Sequence, residues 1–192
     1  SAENEANEPI GGAVEVIVEE SDLVAETEIM FAVHGDSEAS VDVSDSDLEA
    51  GSSISVAVES ELGDAEVVLE WNDITASEGQ LAIMVTTSGD AVVELVDNDV
   101  LSQKYAMGMV MAEGDIDFRL SGNRVATQEE AGAFFFLQTS EGDLTAELYD
   151  NIVGAQVSEE HEYEIAMGIG LIAESESADG ASVSVTAAGN RI

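Results

Sequence analysis

The sequence predicts an all-β protein, built as an antiparallel β-sandwich or barrel of jelly-roll type. Apolar residues make up 45% of the 192 residues. Along the chain they alternate with polar residues in short runs, which is the period of a half-buried strand. Turn signals such as Gly-Asp separate these runs about every 8–12 residues, a spacing typical of sandwiches and barrels.

The chain opens with a polar arm and a first strand. The arm, residues 1–9, has no apolar segment of the kind that a signal peptide or membrane anchor needs. Residues 13–19 form the first predicted strand, and Val14, Val16 and Val18 share one of its faces. Residues 21–25 are predicted to be a connection.

Three groups of predicted strands follow. They lie at 28–33, 39–44, 52–59 and 65–71, then at 81–86, 91–96, 105–111 and 116–120, and finally at 133–137, 144–149, 163–172 and 181–186. Acidic stretches such as 45–51 and 97–103 are predicted to be loops, and residues 128–132 a single helical turn.

Two recurring motifs indicate internal repeats. The stretch 87–98 contains a Gly-Asp turn and ends in Glu-Leu-Val-Asp-Asn, and 139–151 repeats this pattern. The motif Gly-Asn-Arg occurs at 122–124 and again at 189–191. Turn geometry alone explains the Gly-Asp pairs, so they indicate architecture rather than chemistry.

These motifs predict one domain over residues 1–192, with related four-strand units at about 28–74, 81–125 and 133–192. Three such units also suit a pseudo-threefold barrel or prism resembling a β-trefoil. Strand order depends on contacts between distant residues, so this alternative stays open beside the jelly roll.

The net charge limits the partners. The chain has 42 acidic and 4 basic residues, a net charge of −38. Such repulsion destabilises a compact state unless salt screens it, and the Debye length falls to about 3 Å near 1 M salt. The composition therefore predicts a halophilic archaeal source. Without clustered Lys and Arg, neither nucleic-acid binding nor direct membrane insertion is expected.

One short cluster of carboxylates could hold a cation. Asp42, Asp45, Asp47 and Glu49 lie close enough in sequence to hold Ca²⁺ or a similar ion. Ala50 stands where an EF-hand requires glycine, and a solvated acidic loop explains the cluster as well. No other cofactor is predicted, and the absence of cysteine excludes a thiolate metal site.

Catalysis is not predicted. The two histidines, His34 and His161, lie in different predicted units. No Gly-X-Ser-X-Gly elbow accompanies them, so a hydrolytic triad has no support. We therefore expect a protein that is not an enzyme.

Scarce residues and two-sided apolar strands suggest assembly. Arg119, Arg124 and Arg191 are predicted to anchor acidic loops or a neighbouring subunit, because arginine holds carboxylates in bidentate geometry. The strands around Phe135 and Met109 are apolar on both faces. Either the fold or a partner chain must cover them, so both residues are predicted to form an interface.

This acidic, cysteine-free, strand-rich chain of 20.0 kDa resembles the small capsid proteins of haloarchaeal icosahedral viruses with an internal membrane. The resemblance implies a single jelly roll, a location in the virion, and oligomers with itself or other capsid subunits. We therefore expect a structural virion protein, either a capsid or a capsid-decorating subunit.

A carbohydrate- or cell-surface-binding module is the alternative function. Four aromatic residues could stack against sugar rings, although core packing explains them equally well: Trp71, Tyr105, Tyr149 and Tyr163.

Overall fold

The chain is a parallel β-solenoid. The computed structural model describes residues 12–127, 132–155, 169–176 and 181–191. In this part, the chain winds through successive coils of three short strands, where a coil is one circuit of the solenoid. Each strand pairs in parallel with its counterparts in the neighbouring coils, so the coils stack into three parallel sheets.

The first three coils contain β1 (Ala13–Glu19), β2 (Asp22–Ala25), β3 (Glu28–Gly35), β4 (Glu38–Ser44), β5 (Asp47–Ala50), β6 (Ser53–Ser60), β7 (Ala65–Glu70), β8 (Asp73–Ala76) and β9 (Leu81–Thr87). The remaining strands are β10 (Ala91–Val96), β11 (Asp99–Ser102), β12 (Ala106–Ala112), β13 (Ile116–Ser121), β14 (Arg124–Thr127), β15 (Ala133–Thr139), β16 (Leu144–Tyr149), β17 (Ile152–Ala155), β18 (Ile169–Ser175) and β19 (Val183–Ala188).

Each coil contributes one strand to each sheet. Sheet A runs β1-β4-β7-β10-β13-β16-β19, sheet B runs β2-β5-β8-β11-β14-β17, and sheet C runs β3-β6-β9-β12-β15-β18. The register sets the repeat length. Ala65 pairs with Ala91, and Ala91 with Ile116, so one coil takes 26 or 25 residues here.

The predicted antiparallel jelly roll is wrong, and so is the pseudo-threefold alternative. Consecutive strands do not form hairpins, because each turns a corner onto the next sheet. The turn Ser88-Gly89-Asp90, for example, joins sheet C to sheet A. A strand with one buried face shows the same alternation in either pairing, so the pattern that predicted strands could not give their direction.

Strands of sheet B were also not predicted from the sequence. The stretches 21–25, 45–51 and 97–103, predicted as a connection and loops, contain the short strands β2, β5 and β11 of sheet B. Each is only four residues long and places one large apolar residue inward, as Leu48 does in β5. That is too little alternation to recognise. Most of the predicted helical turn, residues 128–131, lies outside the described residues.

The core consists of stacked rows of identical or similar side chains. On sheet A one inward row consists of Val43, Leu69, Leu95, Leu120 and Leu148, and all five are at most 5% exposed. Each buried aliphatic side chain contributes about 1.5–3 kcal/mol. Because each coil buries these side chains against the coils beside it, the stability of a coil depends on its neighbours.

Aromatic packing fills the interior near β15. The rings of Phe118 and Phe135 lie 4.8 Å apart. Gly108 leaves the space that the Phe135 ring occupies, since a Cβ there would come within 2.5 Å of the ring.

A ladder of buried amides marks the corner between sheets A and B. It consists of Asn72, Asn98, Asn123, Asn151 and Asn190, which we call the asparagine ladder, and Ser46 continues it towards the N-terminus. Each side-chain oxygen accepts the backbone N–H of the ladder residue one coil earlier. For Asn98 the donor is Asn72, at 3.1 Å. The side-chain nitrogen of Asn98 donates to the Leu69 carbonyl at 2.7 Å and to Asn123 Oδ1 at 3.0 Å.

The residue before each ladder position has the left-handed backbone conformation that makes the corner. Asp45, Trp71, Asp97 and Asp150 have φ between 48° and 54°. Glycine fills the same position at Gly122 and Gly189, with φ of 70° and 72°. Such values cost a non-glycine residue free energy, and we infer that the hydrogen bonds of the ladder offset that cost.

The ladder predicts a large loss of stability for Asn98→Ala. The change leaves the Asn72 N–H and the Leu69 carbonyl buried without these partners, which costs about 3 kcal/mol. Urea unfolding in molar KCl measures this loss. Asp99→Ala is the matched control, because Asp99 is the next residue and is exposed. Equal stability of the two variants would contradict the structural role of the ladder.

Candidate functional site: the outer faces of the solenoid

The interior offers no room for a ligand at the void between the sheets. This void has a volume of about 20 Å³ and is lined mainly by apolar side chains, including Leu69, Ile83 and Phe135. That volume holds about one water molecule, and an apolar lining keeps such a void dry. The outward positions of the three sheets are therefore the candidate sites.

The outer face of sheet B carries a row of carboxylates. Asp22, Asp47, Asp73 and Asp99 are register partners on successive strands, and Arg124 follows them on β14. Adjacent strands lie about 4.8 Å apart. Like charges at this spacing repel one another, and salt screens the repulsion. The row gives the predicted need for high salt a structural basis.

The predicted cation cluster is divided between two sheets. Asp42 points outward from β4 of sheet A, Asp45 forms the corner, and Asp47 and Glu49 point outward from β5 of sheet B. Among the described residues, no group of three or more His, Cys, Asp or Glu side chains is placed to hold a metal ion. The geometry adds no support for a bound cation, and that site remains a prediction.

The Gly-Asp motifs form a second ladder at the corner between sheets C and A. The Asp64 carboxylate accepts the N–H of Asp90 at 2.9 Å, and the Asp90 carboxylate accepts that of Asp115 at 2.8 Å. Asp115 does the same for Asp143 at 2.7 Å. These aspartates therefore hold successive coils together, in agreement with the structural interpretation of the motif.

The last carboxylate of this ladder, Asp143, has a perturbed pKa. It accepts the Ser182 backbone N–H at 2.6 Å and the Ser182 hydroxyl at 3.1 Å. These two bonds, the backbone one first, lower the pKa of Asp143 below its usual 3.8. Because the folded pKa is the lower one, the stabilisation is present above pH 3.8 and is lost as the pH falls through the folded value.

Removing the hydroxyl tests this assignment. We expect Ser182→Ala to raise the pKa of Asp143 part of the way, because the backbone N–H still donates to the carboxylate. NMR titration of the Asp143 carboxyl carbon measures the change, and Ser184→Ala, two residues further along in β19, is the control. An unchanged titration in Ser182→Ala would contradict the contribution of the hydroxyl.

The arginines occupy the outer faces. Arg119 lies between Glu94 and Glu147 in the register of sheet A. Arg124 and Arg191 both flank Ile152 on sheet B, so they occupy one row two coils apart. Their equivalence, inferred from the Gly-Asn-Arg motif, agrees with this placement. Their predicted role as anchors for an acidic loop or another subunit remains a prediction.

The histidines do not form a described catalytic group. His34 is exposed on β3, where its ring nitrogens lie 3.3 Å from Glu59 and 3.6 Å from Glu61. His161 lies outside the described residues, as does Tyr163.

Of the described aromatic residues considered for sugar stacking, Trp71 is the most exposed. It forms a corner of the solenoid, and its side chain is 56% exposed. Its indole N–H donates to Asp97 Oδ2 at 3.3 Å. An exposed ring fixed by a carboxylate is a feature that a sugar ring could stack on.

The outer face of sheet C is apolar. Two central rows run across its described strands in register: Met30, Ser55, Ala82, Met107, Phe134 and Gly170, and beside it Ala32, Ala57, Met84, Met109, Phe136 and Ile172. We call these two rows the apolar face. They contain no ionisable side chain, in a chain of net charge −38. Met30, Met84, Phe134 and Ile172 are 41–59% exposed.

The apolar face accounts for the predicted two-sided strands. Met109 points outward and belongs to the face, whereas Phe135 is only 3% exposed and belongs to the core. The outward positions beside Phe135 are those of Phe134 and Phe136, and the predicted interface remains a prediction. The sequence does indicate an apolar outer surface here, because runs such as Phe134–Phe136 are apolar at both inward and outward positions. The parallel register that aligns the rows was not recognised.

Comparison with known proteins finds no family model, no curated protein and no solved structure that matches this chain. The resemblance to the small capsid proteins of haloarchaeal viruses is wrong, because it implied a single antiparallel jelly roll and the sheets are parallel. The fold class defined by the structure is a three-sheet parallel β-solenoid. Within the described residues, no helix is long and apolar enough to cross a membrane.

Proposed function

We propose that the protein is a structural subunit of a halophile assembly, namely a capsid or capsid-decorating protein of a virus that infects halophilic archaea. The observation that carries the proposal is the apolar face on sheet C. The 42 carboxylates already make the surface strongly hydrated. Exposing Met84 and Phe134 to water therefore gives a monomer no advantage. A surface that assembles with another protein needs such a patch.

The solenoid suits a structural role for a second reason. Its coils are held in register by two hydrogen-bond ladders and by stacked core rows. Such a body presents each outer face as a regular surface of fixed geometry. A structural role of this kind needs no catalytic residues.

Fractionation of a producing culture tests the proposal. We expect the protein to sediment with particles in a density gradient in molar salt, at a copy number comparable to that of the other major particle proteins. Quantitative mass spectrometry of the fractions measures this. Recovery of the protein only in the fractions of small free proteins would contradict the proposed function.

A carbohydrate- or cell-surface-binding module is the second candidate, and the exposure of Trp71 favours it. If that function is correct, Trp71→Ala abolishes binding to a glycan array in molar salt, whereas Tyr149→Ala on sheet A does not. Retention of the same glycans by Trp71→Ala would contradict this candidate.

A further inference from the structure

The outer face of sheet C has the size of a small protein interface. The strands of sheet C lie about 4.8 Å apart, and alternate residues about 6.7 Å apart along each strand. Across six described strands, the two rows of the apolar face therefore cover roughly 400 Å², and a polar row beside them brings the whole face to roughly 600 Å². Specific interfaces bury about 600–1,000 Å² on each partner, so sheet C reaches the lower end of that range.

The chemistry of the face argues against a lipid surface and against nucleic acid. Proteins that bind such surfaces place Lys and Arg beside the apolar residues. The four basic residues of this chain, Lys104, Arg119, Arg124 and Arg191, all lie off the strands of sheet C.

The distribution of large and small residues matches a second copy of the same face. A twofold axis parallel to the strands keeps each row opposite itself and reverses the order of the coils. Strand β6 then faces β15 of the second copy, β9 faces β12, and β3 faces β18.

In this arrangement large residues meet small ones. Ser55 faces Phe134, and Ala57 faces Phe136. Ala82 faces Met107 and Ala32 faces Ile172.

The remaining pairs are compatible. Met84 faces Met109, and methionine side chains adapt to one another. Met30 faces Gly170, over which the Phe134 ring leans, since a Cβ on Gly170 would lie 2.8 Å from that ring.

The polar row beside the apolar face also pairs favourably with its own copy when the order of the coils is reversed. It runs His34, Glu59, Thr86, Met111, Gln138 and Glu174 across the described strands. Reversal places His34 opposite Glu174 and Glu59 opposite Gln138. Neither pair sets two carboxylates against each other. The other face-to-face twofold, with its axis along the stack of coils, keeps the coil order but reverses the rows, and it would set Phe134 against Phe136.

We propose that the outer face of sheet C binds a second copy of the chain, face to face with the coils in reversed order, as a twofold dimer. The proposal deepens the proposed function and rests on it, because it names the first contact of the assembly. Molar salt favours the contact, since it screens the repulsion between two chains of net charge −38.

Sedimentation equilibrium in molar KCl tests the face. We expect a concentration-dependent dimer for the wild-type chain. Phe136→Glu should weaken dimerisation by about 30-fold or more, because it buries a carboxylate at the centre of the contact. Val92→Glu, an outward change on sheet A, is the matched control and should leave the dimer intact. Circular dichroism shows that each variant keeps its β structure.

A size swap tests the reversed order. Phe136→Ala should weaken the dimer by about tenfold, because it leaves a hollow opposite Ala57. Ala57→Phe should also weaken it, because two large rings then meet. The double variant Ala57→Phe with Phe136→Ala only exchanges the two sides, so we expect its dissociation constant to return to within about threefold of the wild type.

Three outcomes would overturn the proposal: a wild-type chain that stays monomeric at all concentrations, a dimer insensitive to Phe136→Glu, or a double variant as weak as the sum of its single changes. Flotation of a monomeric wild-type chain with phosphatidylcholine vesicles, lost in Phe136→Glu, would identify a lipid surface instead. A monomer that still sediments with particles would leave the proposed function standing and reject only the dimer.

Discussion

The hydrogen bonds of the asparagine ladder impose the constraint on which the solenoid depends. A ladder amide must lie one coil above the backbone N–H that it accepts, so each corner fixes the position of the next. The left-handed residue before each amide makes the corner possible. Given this alignment, strands of three sheets stack in register, and side chains of like character form continuous rows.

The same register organises the surface. It aligns Asp22, Asp47, Asp73 and Asp99 into a row of like charges, and it gathers scattered Met, Ala and Phe residues into one apolar face. The row of carboxylates cannot be recognised in any single strand, and a single strand shows only its own part of the apolar face. The chemistry of the outer faces is thus a product of stacking, and a change at a corner affects the surface as well as the core.

The all-β class, most strand positions and the structural nature of the Gly-Asp motifs could be predicted from the sequence. Strand direction could not, because alternation is the same in parallel and antiparallel strands with one buried face. The repeat was misjudged for a specific reason. Asp97-Asn98 and Gly122-Asn123 differ in sequence, yet both are a left-handed residue followed by a ladder amide. Treating them as one motif gives the 25-residue coil. Met109 lies on the outer apolar face and Phe135 in the core, and the interface predicted for them remains a prediction.

Distances between spin labels on sheet A test the parallel stacking most directly. The chain has no cysteine, so Ser40 can be paired by substitution with Asp117 or with Ser184, which lie in the same row three and five strands away. The Cα atoms of these pairs are expected to lie about 14 Å and about 24 Å apart, a rise of about 4.8 Å for each coil. Electron–electron double resonance, with labelled chains diluted in unlabelled protein, should therefore give a distance between labels that is about 10 Å longer for the second pair. Separations that do not grow with the number of coils between the labels would contradict the solenoid.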